Sequence, residues 1–161
     1  MSRIRVVWGS ATGPTAMAAY DAALAAANVH NYNLVAVSSV VPADPPVDPV
    51  GTAPDLGPAG QELTVVESRA TVAPGDPGPA CAGIGWTRSE SGRGLFYESS
   101  GTDPDEVHTA VHDGLAAGQR LREWAFDDAG PELIVECADA DPDAYTTAVV
   151  LAVYGESRPI V

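Results

Sequence analysis

The 161-residue sequence contains no lysine; all eight of its basic residues are arginines. This absence excludes some chemistry. Pyridoxal phosphate is held through a lysine Schiff base, and lysine is the usual amine nucleophile toward carbonyl substrates, so neither can operate here. Cysteine is nearly as scarce. Cys81 and Cys137 stand far apart in apolar segments without CxxC or other metal-ligand spacing, and both are expected as small buried thiols. No stretch approaches the ~20 apolar residues of a membrane span, and MSRIRVVWGS carries no long apolar run or cleavage signature, which points to a cytoplasmic protein.

Acidic residues are abundant. Twenty-two of them against eight arginines give a formal charge of −14. Such a surface repels phosphate backbones and anionic lipid, so nucleic acid and membranes are poor partners, whereas a cationic ligand is drawn in. The coat as a whole suits a halophilic setting, where molar salt shrinks the Debye length to roughly 3 Å and screens self-repulsion.

With 45% apolar content, the chain can bury the core of one domain. RIRVVW (residues 3–8) reads as a strand, GSATGPT as a turn, and the alanine-rich stretch from Pro14 to Ala27 as a helix with Pro14 in its first turn. NLVAVSSVV (33–41) reads as one β-branched strand stopped by Pro42. The proline-rich segment that follows reads as a loop, too rich in proline for sheet or helix. Strands are predicted at 62–72, 80–87, 93–98, 132–138 and 145–154. A second helix begins near Asp103 and buries Val107, Val111, Gly114, Leu115 and Leu121. About seven strands to two helices favour a layered α/β (α+β) sandwich over a doubly wound parallel sheet.

Among candidate chemical groups, His108 and His112 have the i, i+4 spacing that can hold a metal, but the helical wheel puts them beside Asp105 on the solvated face. GSATG lacks the lysine of a phosphate-binding loop and fails the dinucleotide pattern. Asp21 falls between Met17 and Leu24 on the first helix. Two readings stay open: a carboxylate in an apolar stripe awaiting a cationic ligand, or a helix turned so that Asp21 meets solvent. Ser38-Ser39 sits where a hydrophobic strand meets the proline-rich loop. If the chain does carbanion chemistry on an amino acid, a backbone-derived carbonyl can supply the electrophile that lysine cannot.

Three ordered segments resemble the pyruvoyl-dependent arginine decarboxylases. They are VVWGSATGPTAMAAYDAALAAANVHNYNLVAVSSVVP (6–42), APGDPGPACAGIGW followed by GLFYE (73–98), and LREWAFD with YTTAVVLAVY (121–127 and 145–154). The resemblance implies a single domain, 1–161, folded as a four-layer αββα sandwich and assembled as a homotrimer or a multiple of it, with active sites between subunits. It implies autocatalytic cleavage between Ser38 and Ser39 into fragments 1–38 and 39–161, with Ser39 becoming a covalent pyruvoyl group and neither pyridoxal phosphate nor metal required. By the same likeness Glu98 is the proton donor, Asn33 supports processing and the active site, and Asp21 receives the guanidinium of L-arginine, which is decarboxylated to agmatine. The chain departs from the family pattern after Glu98, where Ser-Ser-Gly replaces another acidic residue.

Asn33 and Ser39 lie on one face of a predicted strand, yet six residues of straight strand separate them by roughly 20 Å. Within one chain they cannot share a site unless the strand bends. Two rival readings remain: a pyruvoyl enzyme for another amino acid, such as histidine or aspartate, and an unprocessed acidic oligomeric scaffold without catalysis.

Overall fold

The computed structural model describes residues 2–161. Among these, the order is β1 (Ile4–Gly13), α1 (Ala16–Ala26), β2 (Asn33–Ala36), β3 (Val40–Val41), β4 (Val47–Gly51), β5 (Glu62–Val72), β6 (Ala80–Arg88), β7 (Gly94–Gly101), α2 (Pro104–Arg120), β8 (Glu132–Ala138) and β9 (Tyr145–Tyr154). One sheet runs β2-β5-β9-β1-β4 and the other β3-β7-β6-β8. Helix α1 covers the first sheet and α2 the second, which gives the expected αββα layers.

The layering follows from which strand faces are apolar. β9 is buried on both faces from Thr146 to Val153, so it lies at the centre of the first sheet. Its Ala148, Val150 and Ala152 join Val6, Val66, Ala82, Ile84, Trp86 and Phe96 in the core between the sheets. The alternate residues Val149, Leu151 and Val153 meet Ala23 and Leu24 of α1 and its C-cap Ala27. On the far side, Val111 and Leu115 of α2 close over Leu95.

Both helices sit close to their sheets because glycine lies beneath them. A Cβ on Gly9 or Gly13 would stand 2.5 Å from the Ala23 carbonyl oxygen or 2.6 Å from the Ala19 nitrogen, and one on Gly85 would stand 2.5 Å from Val111. GSATG is therefore strand, contrary to the turn expected, and its glycines make room for α1. Thr15 caps α1 by accepting from the Ala18 N–H at 3.0 Å, so Pro14 precedes the helix. Asp103 caps α2, with Pro104 in the first turn.

Four further expectations are corrected. The single strand 33–41 is two strands, because the chain leaves the first sheet after Ala36 and joins the second at Val40. The proline-rich segment contributes β4, which pairs in parallel with β1 at the sheet edge, where Pro49 needs no outward N–H partner. Leu121 caps the C-terminus of α2 and is 83% exposed, outside the buried stripe of Val107, Val111 and Leu115. Cys81 and Cys137 are joined as a disulfide, because the antiparallel register of β6 and β8 sets them directly opposite with Cα atoms 4.2 Å apart.

Candidate active site

The crossover from the first sheet to the second consists of the residues around Ser38-Ser39. On one side the Val37 N–H donates to the Val65 carbonyl at 2.9 Å, extending the β2–β5 pairing. On the other the Phe96 N–H donates to the Ser39 carbonyl at 2.7 Å, extending the antiparallel β3–β7 pairing. Only Ser38 lies between the two anchors, and it is exposed. A second clamp follows: the Tyr154 hydroxyl donates to the Val40 carbonyl at 3.0 Å, and burial pushes that hydroxyl up to about 12.

Register brings Glu98 to the same place. The Ser39 Oγ lies 3.5 Å from Glu98 Oε2, at the outer limit of a hydrogen bond, and Glu98 is exposed. β7 is fixed there by Ser68, which is 3% exposed. Its Oγ donates to the Ser99 carbonyl at 2.7 Å and accepts from the Gly83 N–H at 3.2 Å, tying the sheets together beside Glu98. Ser39 opens onto a groove of about 310 Å³ between β7 and α2, bordered by Phe96, Tyr97, Leu115 and Arg122. Tyr97 can lie on α2 because residue 114 is glycine; a Cβ there would come 2.3 Å from the ring.

Asp21 and Asn33 belong elsewhere. Both line a groove of about 520 Å³ between α1 and β2, with Met17, Tyr20, Leu24 and Tyr32. This decides the question left open for Asp21. The buried stripe of α1 is Ala19, Ala23 and Leu24, while Met17 is 77% exposed, so the Met17–Asp21 side faces the groove and not the core. Tyr20 is held by a 2.5 Å hydrogen bond to Glu67 and by the Arg69 guanidinium 4.6 Å from its ring centre. Burial, reinforced by Glu67, raises its hydroxyl well above the ordinary tyrosine value. The Asn33 side chain donates to the Gly60 carbonyl at 2.7 Å, and Tyr32 donates to the Gly57 carbonyl at 3.0 Å, so the N-terminal end of β2 is tied to the loop before β5.

The chain thus brings Ser38, Ser39 and Glu98 together at the crossover, where Ser39 also borders the groove beside α2, and sets Asp21 and Asn33 together in the separate groove beside α1. His108 and His112 are exposed on α2. Residues that sequence reasoning did not single out include Tyr20, Tyr154 and Arg88. Of these, only Tyr20 left a signal, its i+3 and i+4 spacing from Met17 and Leu24 around Asp21.

Arg88 staples the segment beyond the crossover. Its guanidinium donates to the carbonyls of Pro42, Ala43, Pro45 and Gly92 at 2.9, 3.1, 2.6 and 2.7 Å. Burial lowers its pKa from the ordinary arginine value.

Comparison with known proteins places the chain. The model of the family described as pyruvoyl-dependent arginine decarboxylase matches residues 3–159. A pyruvoyl-dependent arginine decarboxylase of Halobacterium salinarum is 53% identical over 161 residues, covering 99% of this chain and 98% of the relative. Those of Thermococcus sibiricus and Pyrococcus furiosus are 32% and 33% identical, each covering 90% of this chain and 91% of the relative. The chain belongs to the pyruvoyl-dependent arginine decarboxylase family. Membership implies a covalent pyruvoyl group in place of pyridoxal phosphate, in keeping with the missing lysine. The surroundings of Ser39 fit such a group: an exposed serine precedes it, a main-chain N–H holds its carbonyl, and a carboxylate stands by its side chain. Among the described residues no helix is long and apolar enough to cross a membrane.

Proposed function

We propose that this chain cuts its own backbone between Ser38 and Ser39, giving fragments 1–38 and 39–161, and then decarboxylates L-arginine to agmatine and CO₂. The observation that carries the reading is the placement of the serine pair, strung between two sheets with Glu98 beside the Ser39 hydroxyl. Once formed at residue 39, the pyruvoyl group supplies a ketone for the substrate amine and a sink for the electrons released with CO₂. The chain's own residues do the rest. Glu98 is within reach of residue 39 to deliver the proton that replaces the lost carboxyl.

Asp21 receives the guanidinium. A carboxylate matches that group because two parallel N–H donors meet two oxygens in a fixed fork. Tyr20, anchored through Glu67 and Arg69, keeps this face of α1 in place. Asn33 shares the groove and holds β2 against the Gly60 loop, supporting both the cut and the site.

The separation of the grooves supports a homotrimer, or a multiple of it, in which the Asp21–Asn33 groove of one subunit meets Ser39 and Glu98 of the next. β2 is an edge strand, and Val35, Val37 and Val40 at the crossover are 40%, 41% and 47% exposed. Such a strip of apolar side chains beside unpaired backbone suits burial against another copy. With free arginine as its substrate, the enzyme is proposed to work in the cytoplasm.

The test is a decarboxylation assay with arginine, lysine, ornithine and histidine. Arginine turnover well above the others is expected; equal or lower turnover would sink the choice of substrate.

A further inference from the structure

We infer that the main-chain N–H of Phe96 is a catalytic group of the self-cut: it stabilises the charge that gathers on the Ser39 carbonyl when the chain is split by elimination. The inference rests on the reading that Ser38-Ser39 is the cleaved bond. The donor stands 2.7 Å from that carbonyl oxygen. Packing on both sides holds it in place. β7 lies between β3 and β6, and the Phe96 side chain, 2% exposed, is wedged between Trp86 and Tyr154 at ring-centre distances of 6.3 and 6.1 Å. A fixed donor aimed at an oxygen that gains charge costs no reorganisation as the charge develops.

The two steps of the cut use this contact differently. In the first, the Ser39 Oγ attacks the Ser38 carbonyl carbon; a C–O bond forms, the Ser38–Ser39 C–N bond breaks, and the proton moves from Oγ to the nitrogen. The Ser39 carbonyl gains no charge there. In the second, water takes the Cα proton of residue 39, and the C–H electron pair moves through that carbonyl as an enolate. It then forms the Cα=Cβ bond as the Cβ–O bond breaks and Ser38 leaves as a carboxylate. The enolate oxygen is the atom that Phe96 holds. The contact therefore acts on the elimination and spares the ester-forming step.

The prediction is tested by replacing the residue 96 amide with an ester, using phenyllactic acid in place of phenylalanine, which keeps the side chain and deletes the N–H. The same exchange at Leu95, which pairs with Thr87 on β6, reports the general cost of weakening β7. Intact mass should show the cut slowed about 100-fold or more by the change at 96, far beyond the change at 95. Hydroxylamine should then release a 39–161 fragment that still begins with serine, the sign of accumulated ester.

Equal slowing by the two esters, an unslowed cut, or slowing without hydroxylamine-sensitive material would each overturn the inference. So would rapid hydrogen exchange of the Phe96 amide in the uncut S39A chain, a measurement independent of the ester variants. A parent chain that never cuts would instead remove the reading on which the inference rests.

Discussion

Replacing Arg88 tests how the segment beyond the serine pair is held. Its guanidinium satisfies four carbonyls, three of them in the Pro42–Pro45 stretch that leaves β3 and one in the β6–β7 turn. Hydrogen bonds to a charged group contribute about 1.5–3 kcal/mol each when well buried, but carbonyls near the surface regain water, so Arg88→Met should cost about 3 kcal/mol in all. For a chain of this size that lowers the melting temperature by about 6–12 °C. Arg88→Lys should recover less than half, since a single ammonium cannot reach Gly92 and the prolines together. The assay is thermal unfolding in molar salt of chains blocked from cleavage by S39A, with the cleavage rate of the unblocked pair measured alongside. A shift below about 2 °C for Arg88→Met, or full rescue by lysine, would refute the view that this fork holds the loop.

Three further outcomes are expected. Glu98→Gln should leave the cut intact and suppress turnover, seen as two fragments by mass with little CO₂ released; normal turnover would remove Glu98 as the proton donor. Asp21→Asn should raise the KM for arginine by about 30-fold or more, the cost of losing a charge-assisted pair, with the cut unaffected. Burial raises the Glu136 pKa, so its ionised form is disfavoured in the fold. Stability is thus lost as pH rises through the raised value, and Glu136→Gln should melt higher at neutral pH with the advantage gone below the ordinary 4.5.

Much of the fold was legible because burial leaves a period in the sequence. The 3.6-residue spacing of Val107, Val111 and Leu115 marked α2, and the β-branched run YTTAVVLAVY read as a strand, whose burial on both faces the sheet order then explained. What the pattern hid depended on partners distant in the chain. Nothing in NLVAVSSVV shows that its two halves belong to different sheets, because Val35 and Val40 look alike whether they pair with β5 or β7. A proline-rich stretch hides β4, which needs pairing on one side only. The cysteines read as free thiols because 56 residues separate them; only the β6–β8 register puts them opposite.

The candidate site divided in the same way. The missing lysine pointed to a carbonyl from the backbone, while Ser38-Ser39, a common dipeptide by itself, was singled out by its place at a strand end and by the family resemblance, which also named Glu98 and Asn33. Residues acting through the backbone left no such sign. Phe96 contributes an N–H that every residue but proline has, and Arg88 was one of eight arginines until its four carbonyl partners were in view. The roll of α1 was hidden too, since Met17 and Leu24 suggest an apolar stripe, whereas the glycines of β1 select the alanine face.

Intact mass of the purified chain decides whether the Ser38-Ser39 bond is cut. Two fragments are expected, 1–38 and 39–161, the larger lighter by one ammonia than a serine-initiated chain. A folded protein that remains one chain of 161 residues after prolonged incubation would contradict the cut.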